Sequence, residues 1–362
     1  MTDEFFEEQE EASAVKTALV ARYFARWAPI LLSQVPKIGY VDLYSGPGRF
    51  KDGTKSTPLL VMEQVAGSER LRNAVASYFN DLNSDFIEIL KEELAKIEGI
   101  NELAFAPRFS SGEVSDSLAG LFDKGEAIPT LTFLDPWGYK GLTRRLIESV
   151  VRGFGSEAVF FFNYSRINAA IMNDSVEPRV EAIFGKERLG RLRAAVPSLS
   201  VQAREEFLIR ELGSMFDEEL MAPHLIPFRF HRPSGQTHYI CFVSKRPRGY
   251  EVMKEVISSL GIEDEDGVPK FEFLPQKVAR QLGLPFDAQR PIMALPRALH
   301  DAFSGQTLTI RQVCRLHHAG TPFILKNYRR VVLEMEKQGR VICDPSNRRP
   351  NTLAEHVRIT FP

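Results

Sequence analysis

The chain has 362 residues, enough for two or three domains, and its 44% hydrophobic content supports a sizeable core. With 46 basic and 47 acidic residues the net charge is −1, so total charge argues neither for nor against a polyanionic partner. Cys241, Cys314 and Cys343 are dispersed without CxxC spacing, which argues against a disulfide framework or a zinc site, and no apolar run approaches the roughly 18 residues of a membrane span. The acidic N-terminus is unlike an export signal, and a cytoplasmic location is expected. Charge is unevenly spread. Residues 2–12 hold six acids and no base, whereas residues 291–362 hold eleven Lys/Arg against five Asp/Glu, so that this last stretch carries about +6.

After an acidic tail over residues 1–12, Ser13 to Leu32 places Val15, Leu19, Val20, Tyr23, Phe24, Trp27 and Ile30/Leu31 at spacings of three and four. That predicts an amphipathic helix, with Lys16, Arg22 and Arg26 on its solvated face. Pro36 breaks it. Tyr40 to Tyr44 then reads as a short strand carrying Asp42, and Ser45-Gly46-Pro47-Gly48 as a tight turn at its end. A strand that ends in a glycine-rich turn lets a ligand approach the backbone in α/β folds, although aspartate and glycine near a turn also occur in many proteins.

Ser56 or Thr57 caps a helix whose first turn accepts Pro58. Asn73 to Phe79 predicts a second strand, followed by Asn80-Asp81-Leu82-Asn83. Asp81 is placed where nucleotide-binding folds keep an acid for ribose hydroxyls, or is an ordinary strand-end aspartate. A helix over 84–96, a strand over 103–109, a polar turn containing Ser111 and a helix over 118–122 follow. Thr130 to Leu134 is a buried-type strand opening into Asp135-Pro136-Trp137-Gly138, a rigid loop. Residues 144–152 predict a helix and Glu157 to Asn163 a strand apolar enough to be central. Residues 165–216 read as a charged helical insertion, and 225–231 with 237–244 as a terminal hairpin joined by 232–236.

Together these elements predict a doubly wound, Rossmann-like α/β sheet over residues 13–260, in the manner of class I S-adenosylmethionine (SAM)-dependent methyltransferases. Residues 261–290 read as a linker that begins Glu263-Asp264-Glu265-Asp266-Gly267. Residues 291–362 give helix, short strand, helix, turn, long helix over 323–338 and a strand pair around the loop 344–353, a winged helix-turn-helix. On the long helix Leu325, Tyr328, Val332 and Met335 are expected in the core. Lys326, Asn327, Arg329 and Arg330 would face outward, with Arg348 and Arg349 at the wing tip, to meet base edges and phosphates. Winged helices also dock proteins.

In a SAM site, Asp42, Tyr44, Ser45, Gly46, Gly48, Asp81 and Ser111 would surround the cofactor, with no metal. Asp135, Pro136 and Trp137 resemble the Asp-Pro-Pro-Tyr or Asn-Pro-Pro-Tyr motif of amino-methyltransferases. There an acid or amide and a proline carbonyl accept hydrogen bonds from an exocyclic amine, and an aromatic stacks on the flipped base. The same residues also suit a plain turn after a buried strand with an aromatic packed beneath.

Asp42-Leu43-Tyr44-Ser45-Gly46-Pro47-Gly48, Ser56-Thr57-Pro58-Leu59 and Asp135-Pro136-Trp137-Gly138, behind an early lysine-containing helix, resemble the three-Cys-motif partner (TcmP) family over most of residues 13–245. That family's pattern runs close to Asp-Leu-Phe-Ala-Gly-Pro-Gly, Gly-Ser-Pro-Leu and Asp-Pro-Phe-Gly. The chain departs from it at Tyr44-Ser45, Ser56-Thr57 and Trp137. The resemblance implies a bacterial or phage-associated protein with a methyltransferase-like fold, working beside a three-cysteine partner that looks like a radical-SAM or iron–sulfur protein. Three functions fit the sequence: a nucleic-acid methyltransferase, a non-catalytic SAM- or nucleotide-binding partner whose tail docks DNA or that protein, and a ligand-sensing regulator.

Overall fold

The computed structural model describes residues 11–115, 128–136, 141–231, 236–260, 263–273 and 291–362. Most of the acidic tail, the helix expected over 118–122, the loop from Trp137 to Lys140, the hairpin connection 232–235 and most of the 261–290 stretch lie outside them. The chain falls into two compact units, divided between Val252 and Met253, with Phe273 returning to the first.

The first unit is built on an eight-stranded sheet of order β3-β2-β1-β4-β5-β7-β6-β8. Its strands are β1 (Ile38–Asp42), β2 (Val75–Asp81), β3 (Arg108–Ser111), β4 (Thr130–Leu134), β5 (Glu157–Phe162), β6 (His224–His231), β7 (Thr237–Ser244) and the two-residue β8 (Glu272–Phe273). The first five run parallel, and β7 inserts antiparallel between β5 and β6. This is the strand order of class I methyltransferases. Every residue of β1, β4 and β7 is buried, as in a sheet covered on both faces.

Alternate residues of the strands feed two layers. On one side α1 (Glu11–Leu31) buries Leu19, Val20, Tyr23, Phe24, Trp27 and Leu31. Phe24 meets Tyr40 edge-on at 5.7 Å and Tyr23 lies 4.9 Å from Phe242. The Tyr23 hydroxyl donates to Glu157, a carboxyl that Ser244 also serves from 2.7 Å. Further along come α2 (Thr57–Ala66), with Pro58 in its first turn, and α3 (Ser84–Ala95), capped by the Asn83 side chain accepting from Asp85 N at 2.9 Å.

On the other side stand α4 (Arg144–Val151), α5 (Tyr164–Ala170), α6 (Glu177–Phe184), α7 (Lys186–Ala195) and α8 (Val201–Glu218). Residues 165–216, expected as an insertion, share one core with the sheet. Val180, Phe184, Leu189, Leu208, Leu212 and Phe216 cluster with Val41, Leu134, Phe160 and Phe162. Their charges are partly internal: the Arg188 guanidinium, 4% exposed, is shared among Glu211, Glu218 and Glu219. The third strand also departs from expectation. Residues 103–107 are irregular after a single 3-10 turn at Ile100–Glu102, and β3 begins at Arg108. Among the described residues it is an outer strand of the sheet, paired to β2, so it needs no apolar run.

After α9 (Pro247–Ser259), which begins in the first unit, the second unit contains α10 (Leu295–Phe303), β9 (Thr307–Thr309), α11 (Ile310–His317), α12 (Leu325–Lys337), β10 (Ile342–Asp344) and β11 (Arg358–Thr360). The strands form an antiparallel sheet of order β10-β11-β9. Leu299, Phe303, Val313, Tyr328, Val332, Met335, Ile359 and Phe361 make its core. Thr309 and Gln312 cap α11 reciprocally. This is a winged helix-turn-helix. No helix among the described residues is long and apolar enough to cross a membrane.

Candidate functional site

The carboxyl ends of β1, β2 and β4 bring Asp42, Asp81 and Asp135 to one edge of the sheet. After Asp42 the chain turns through Gly46 and Gly48, with φ of 62° and 88°, the left-handed region that glycine enters at least cost. A Cβ on Gly48 would lie 2.9 Å from Leu90 Cδ1, so the turn is pressed against α3.

Asp81 holds this turn in place. Its Oδ2 accepts from Gly46 N at 2.9 Å and its Oδ1 from Asn83 N at 2.9 Å. Ser45, 4% exposed, donates both its N–H (2.9 Å) and its hydroxyl (3.2 Å) to the Asn80 carbonyl. Asp42 is almost wholly buried and accepts from Tyr44 N at 3.2 Å and the Tyr40 hydroxyl at 3.4 Å. Burial above all, with Asp135 and Asp81 adding repulsion against the Tyr44 N–H bond, pushes its carboxyl up to about 8. The Tyr44 hydroxyl is raised for the same reasons, by burial and then by Asp135, Glu113 and Asp81. It sits under Gly141, where a Cβ would stand 2.3 Å from it.

Asp135 is paired with Lys16, whose Nζ also lies 5.8 Å from the centre of the Phe161 ring. Lys16 is thus not on a solvated face: the second turn of α1 delivers its ammonium to the end of β4, while Arg22 and Arg26 are exposed. Pro136 is buried next to Asp135. Trp137 lies outside the described residues. Ser111 is exposed, with one long bond of 3.4 Å to the Leu82 carbonyl. Its neighbour Ser110 is the residue tied into the site. Ser110 Oγ donates to Asn80 Oδ1 at 2.6 Å and meets the Tyr78 hydroxyl at 2.6 Å, and Asn80 Nδ2 donates to the carbonyls of Leu43 (3.2 Å) and Gly112 (3.0 Å).

Sequence reasoning therefore missed Lys16, Tyr78, Asn80 and Ser110. The available signal was the run of polar residues at the end of the second strand, where Asn80 adjoins Asp81. Chemically, the Asp81 and Asp135 carboxylates, the buried Asp42 carboxyl and one lysine meet around a turn with two glycines. That arrangement offers hydrogen-bond acceptors to a ligand with hydroxyl or amine donors that can approach the glycine turn. Among the described residues no group of three or more His, Cys, Asp or Glu is placed to hold a metal ion.

In the second unit the six basic or amide candidates separate. Asn327 is 2% exposed rather than outward-facing: its Oδ1 accepts from Ile324 N and its Nδ2 donates to the Gly267 carbonyl, each at 2.9 Å. Lys326 and Arg330 are engaged by Glu263 and Asp266. Arg348, with a side chain 10% exposed, folds back onto Glu336 and the carbonyls of Pro345 and Thr352. Arg329 is half-buried, and Arg349 is exposed.

A family model described as the GMT-like wHTH domain matches residues 275–348. No curated protein matches the chain. Among solved structures, one similar chain is a protein from Legionella pneumophila, at 11% identity and TM-score 0.38, covering 68% of this chain and 91% of that one. The DszA carbon methyltransferase follows at 13% and 0.37, covering 66% and 56%. The methyltransferase domain of bacterial CtHen1 has 11% and 0.30, covering 63% and 100%.

Proposed function

We propose that the first unit binds SAM and directs methyl transfer to nucleic acid, with the winged helix engaging the polyanion. The observation that carries this reading is the meeting of Asp42, Asp81 and Asp135 around the Gly46–Gly48 turn, at the carboxyl edge of a sheet in methyltransferase order. The residues fit the cofactor: bare backbone for close approach, acids for an ammonium and ribose hydroxyls, and Lys16 as a counter-charge. Bound there, SAM would supply an electrophilic methyl group on a sulfonium.

The chain's own residues then have defined tasks. Asp81 braces the turn through Gly46 N and keeps lone pairs for ribose hydroxyls. Asp42 fixes Tyr44 from below. Asp135 and the Pro136 carbonyl accept the hydrogens of an exocyclic amine, and Trp137 stacks on the base. The TcmP resemblance supports joint action with a three-cysteine protein, in phage defence or DNA modification.

The Lys16–Asp135 pair favours a second reading, a SAM-binding partner without turnover, because it commits one of the two Asp135 oxygens to an ammonium within the chain. Calorimetry with SAM, then labelled methyl transfer to DNA and RNA by the wild type and Asp135→Ala, separates the two. Label that depends on Asp135 supports the enzyme. Binding without label on any substrate, with or without the three-cysteine protein, leaves the partner reading, and absence of SAM binding sinks both.

A further inference from the structure

The basic face of α12 carries an acidic turn of the same unit along the flank of its N-terminal half. Glu263 pairs with Lys326. One turn further along the helix, Arg330 donates from Nη1 to the Asp266 carbonyl at 2.9 Å and from Nη2 to Asp266 Oδ1 at 3.3 Å. Between them Asn327 reaches the Gly267 carbonyl.

The turn is built to present these groups. Asp264 Oδ1 accepts from Asp266 N (2.9 Å) and Val268 N (2.8 Å), and Gly267 adopts φ 67°. Val268, 2% exposed, anchors the segment in the unit's core. Lys326 and Arg330 nevertheless remain 51% and 59% exposed, while the Asp266 side chain is 4% exposed. The cations therefore face outward with carboxylates on their flank.

In helix-turn-helix modules the third helix is the one that enters the groove, and residues near its start make the first contacts. Here those residues already hold carboxylates, which carry the charge that a phosphate would bring. We propose that Glu263–Gly267 is an intramolecular occupant of the polyanion-binding face of α12. It masks Lys326 and Arg330 until a nucleic-acid backbone takes their charge. This rests on the reading that the second unit binds nucleic acid. Half-exposed ion pairs are individually weak, and a duplex that offers several phosphates at once can displace two of them.

The test uses the full chain with labelled DNA and RNA duplexes, and affinity is measured across a salt series. Glu263→Gln with Asp266→Asn keeps side-chain size and leaves Asp264, the turn former, intact. This variant should bind about tenfold tighter than wild type at low salt, with a steeper salt dependence, because two more cations meet phosphates. Adding Lys326→Ala and Arg330→Ala should abolish the gain. A folded double variant, checked by thermal melting, whose affinity equals wild type overturns the mask while the nucleic-acid reading stands. So does a gain that survives loss of Lys326 and Arg330. If no form binds DNA or RNA at low salt, the nucleic-acid reading falls and the mask with it. Should the double variant melt early, Glu263→Gln alone, at a partly exposed position, decides by the same comparison.

Discussion

Lys16, in the second turn of α1, and Asp135, at the end of β4, form an ion pair across 119 residues of sequence. Their side chains are only 14% and 17% exposed, and Asp135 also repels the buried Asp42. Removing the lysine therefore leaves a largely shielded carboxylate without its counter-charge. Lys16→Met is expected to destabilise the first unit by about 1–3 kcal/mol in urea unfolding, the cost of an unpaired shielded charge. Adding Asp135→Asn should recover most of it. Additive losses in the double variant would show that the pair contributes nothing as a pair.

That pair also marks the limit of what the sequence showed. The helical period around Lys16 was plain, as were β4, built of apolar and β-branched residues, and β5, apolar after Glu157, because burial on both sides leaves little room for exposed polar residues. Which way a lysine at the border of the apolar stripe turns is decided by what stands opposite, and no local pattern encodes that. The outer strand β3 escaped for a related reason. Its residues Arg108–Ser111 are half-buried or exposed, so the apolar stretch just before them drew the expectation instead. Asn327 looked like a surface amide on α12, yet it is spent on Ile324 N and Gly267, the second of which lies sixty residues away.

Glu157 gives the fold a pH dependence of predictable sign. Burial lifts its carboxyl from 4.5 to about 7, against the lowering effect of the Tyr23 and Ser244 hydroxyls. The native state thus keeps a proton that the unfolded chain releases, so this group's stabilisation is complete below about pH 4.5 and is lost as pH rises through about 7. The full loss is on the order of 3 kcal/mol. Chemical denaturation of Glu157→Gln should show a flatter stability profile across that interval than wild type. Parallel profiles would mean that the carboxyl is ionised throughout.

Gly48 and Gly53 offer a paired test of the turn. Both have positive φ, at 88° and 81°, so alanine meets backbone strain at either, roughly 1 kcal/mol. Only at Gly48 does the added methyl also strike neighbours, Leu90 Cδ1 at 2.9 Å and Leu59 Cγ at 3.3 Å, whereas nothing lies within 4 Å at Gly53. Gly48→Ala should cost about 1–3 kcal/mol more than Gly53→Ala by urea unfolding, the range expected for overpacking. Equal costs would mean that α3 yields freely and that the turn is not held against it.

Asp81 carries two loads, which its variants should separate. Its two oxygens hold Gly46 N on the β1 turn and Asn83 N at the head of α3, so losing either bond loosens the site before any ligand arrives. Asp81→Asn keeps one acceptor oxygen and replaces the other with a donor that faces an N–H. It should lose about 1–2 kcal/mol of stability and bind SAM at least about tenfold more weakly, since a ribose hydroxyl donates better to an anion. Asp81→Glu keeps the charge but displaces it along a longer stem, so it separates charge from placement. If calorimetry finds SAM affinity unchanged in Asp81→Asn while the melting temperature falls, the carboxylate serves the turn alone and the ribose contact must be sought elsewhere on that edge of the sheet.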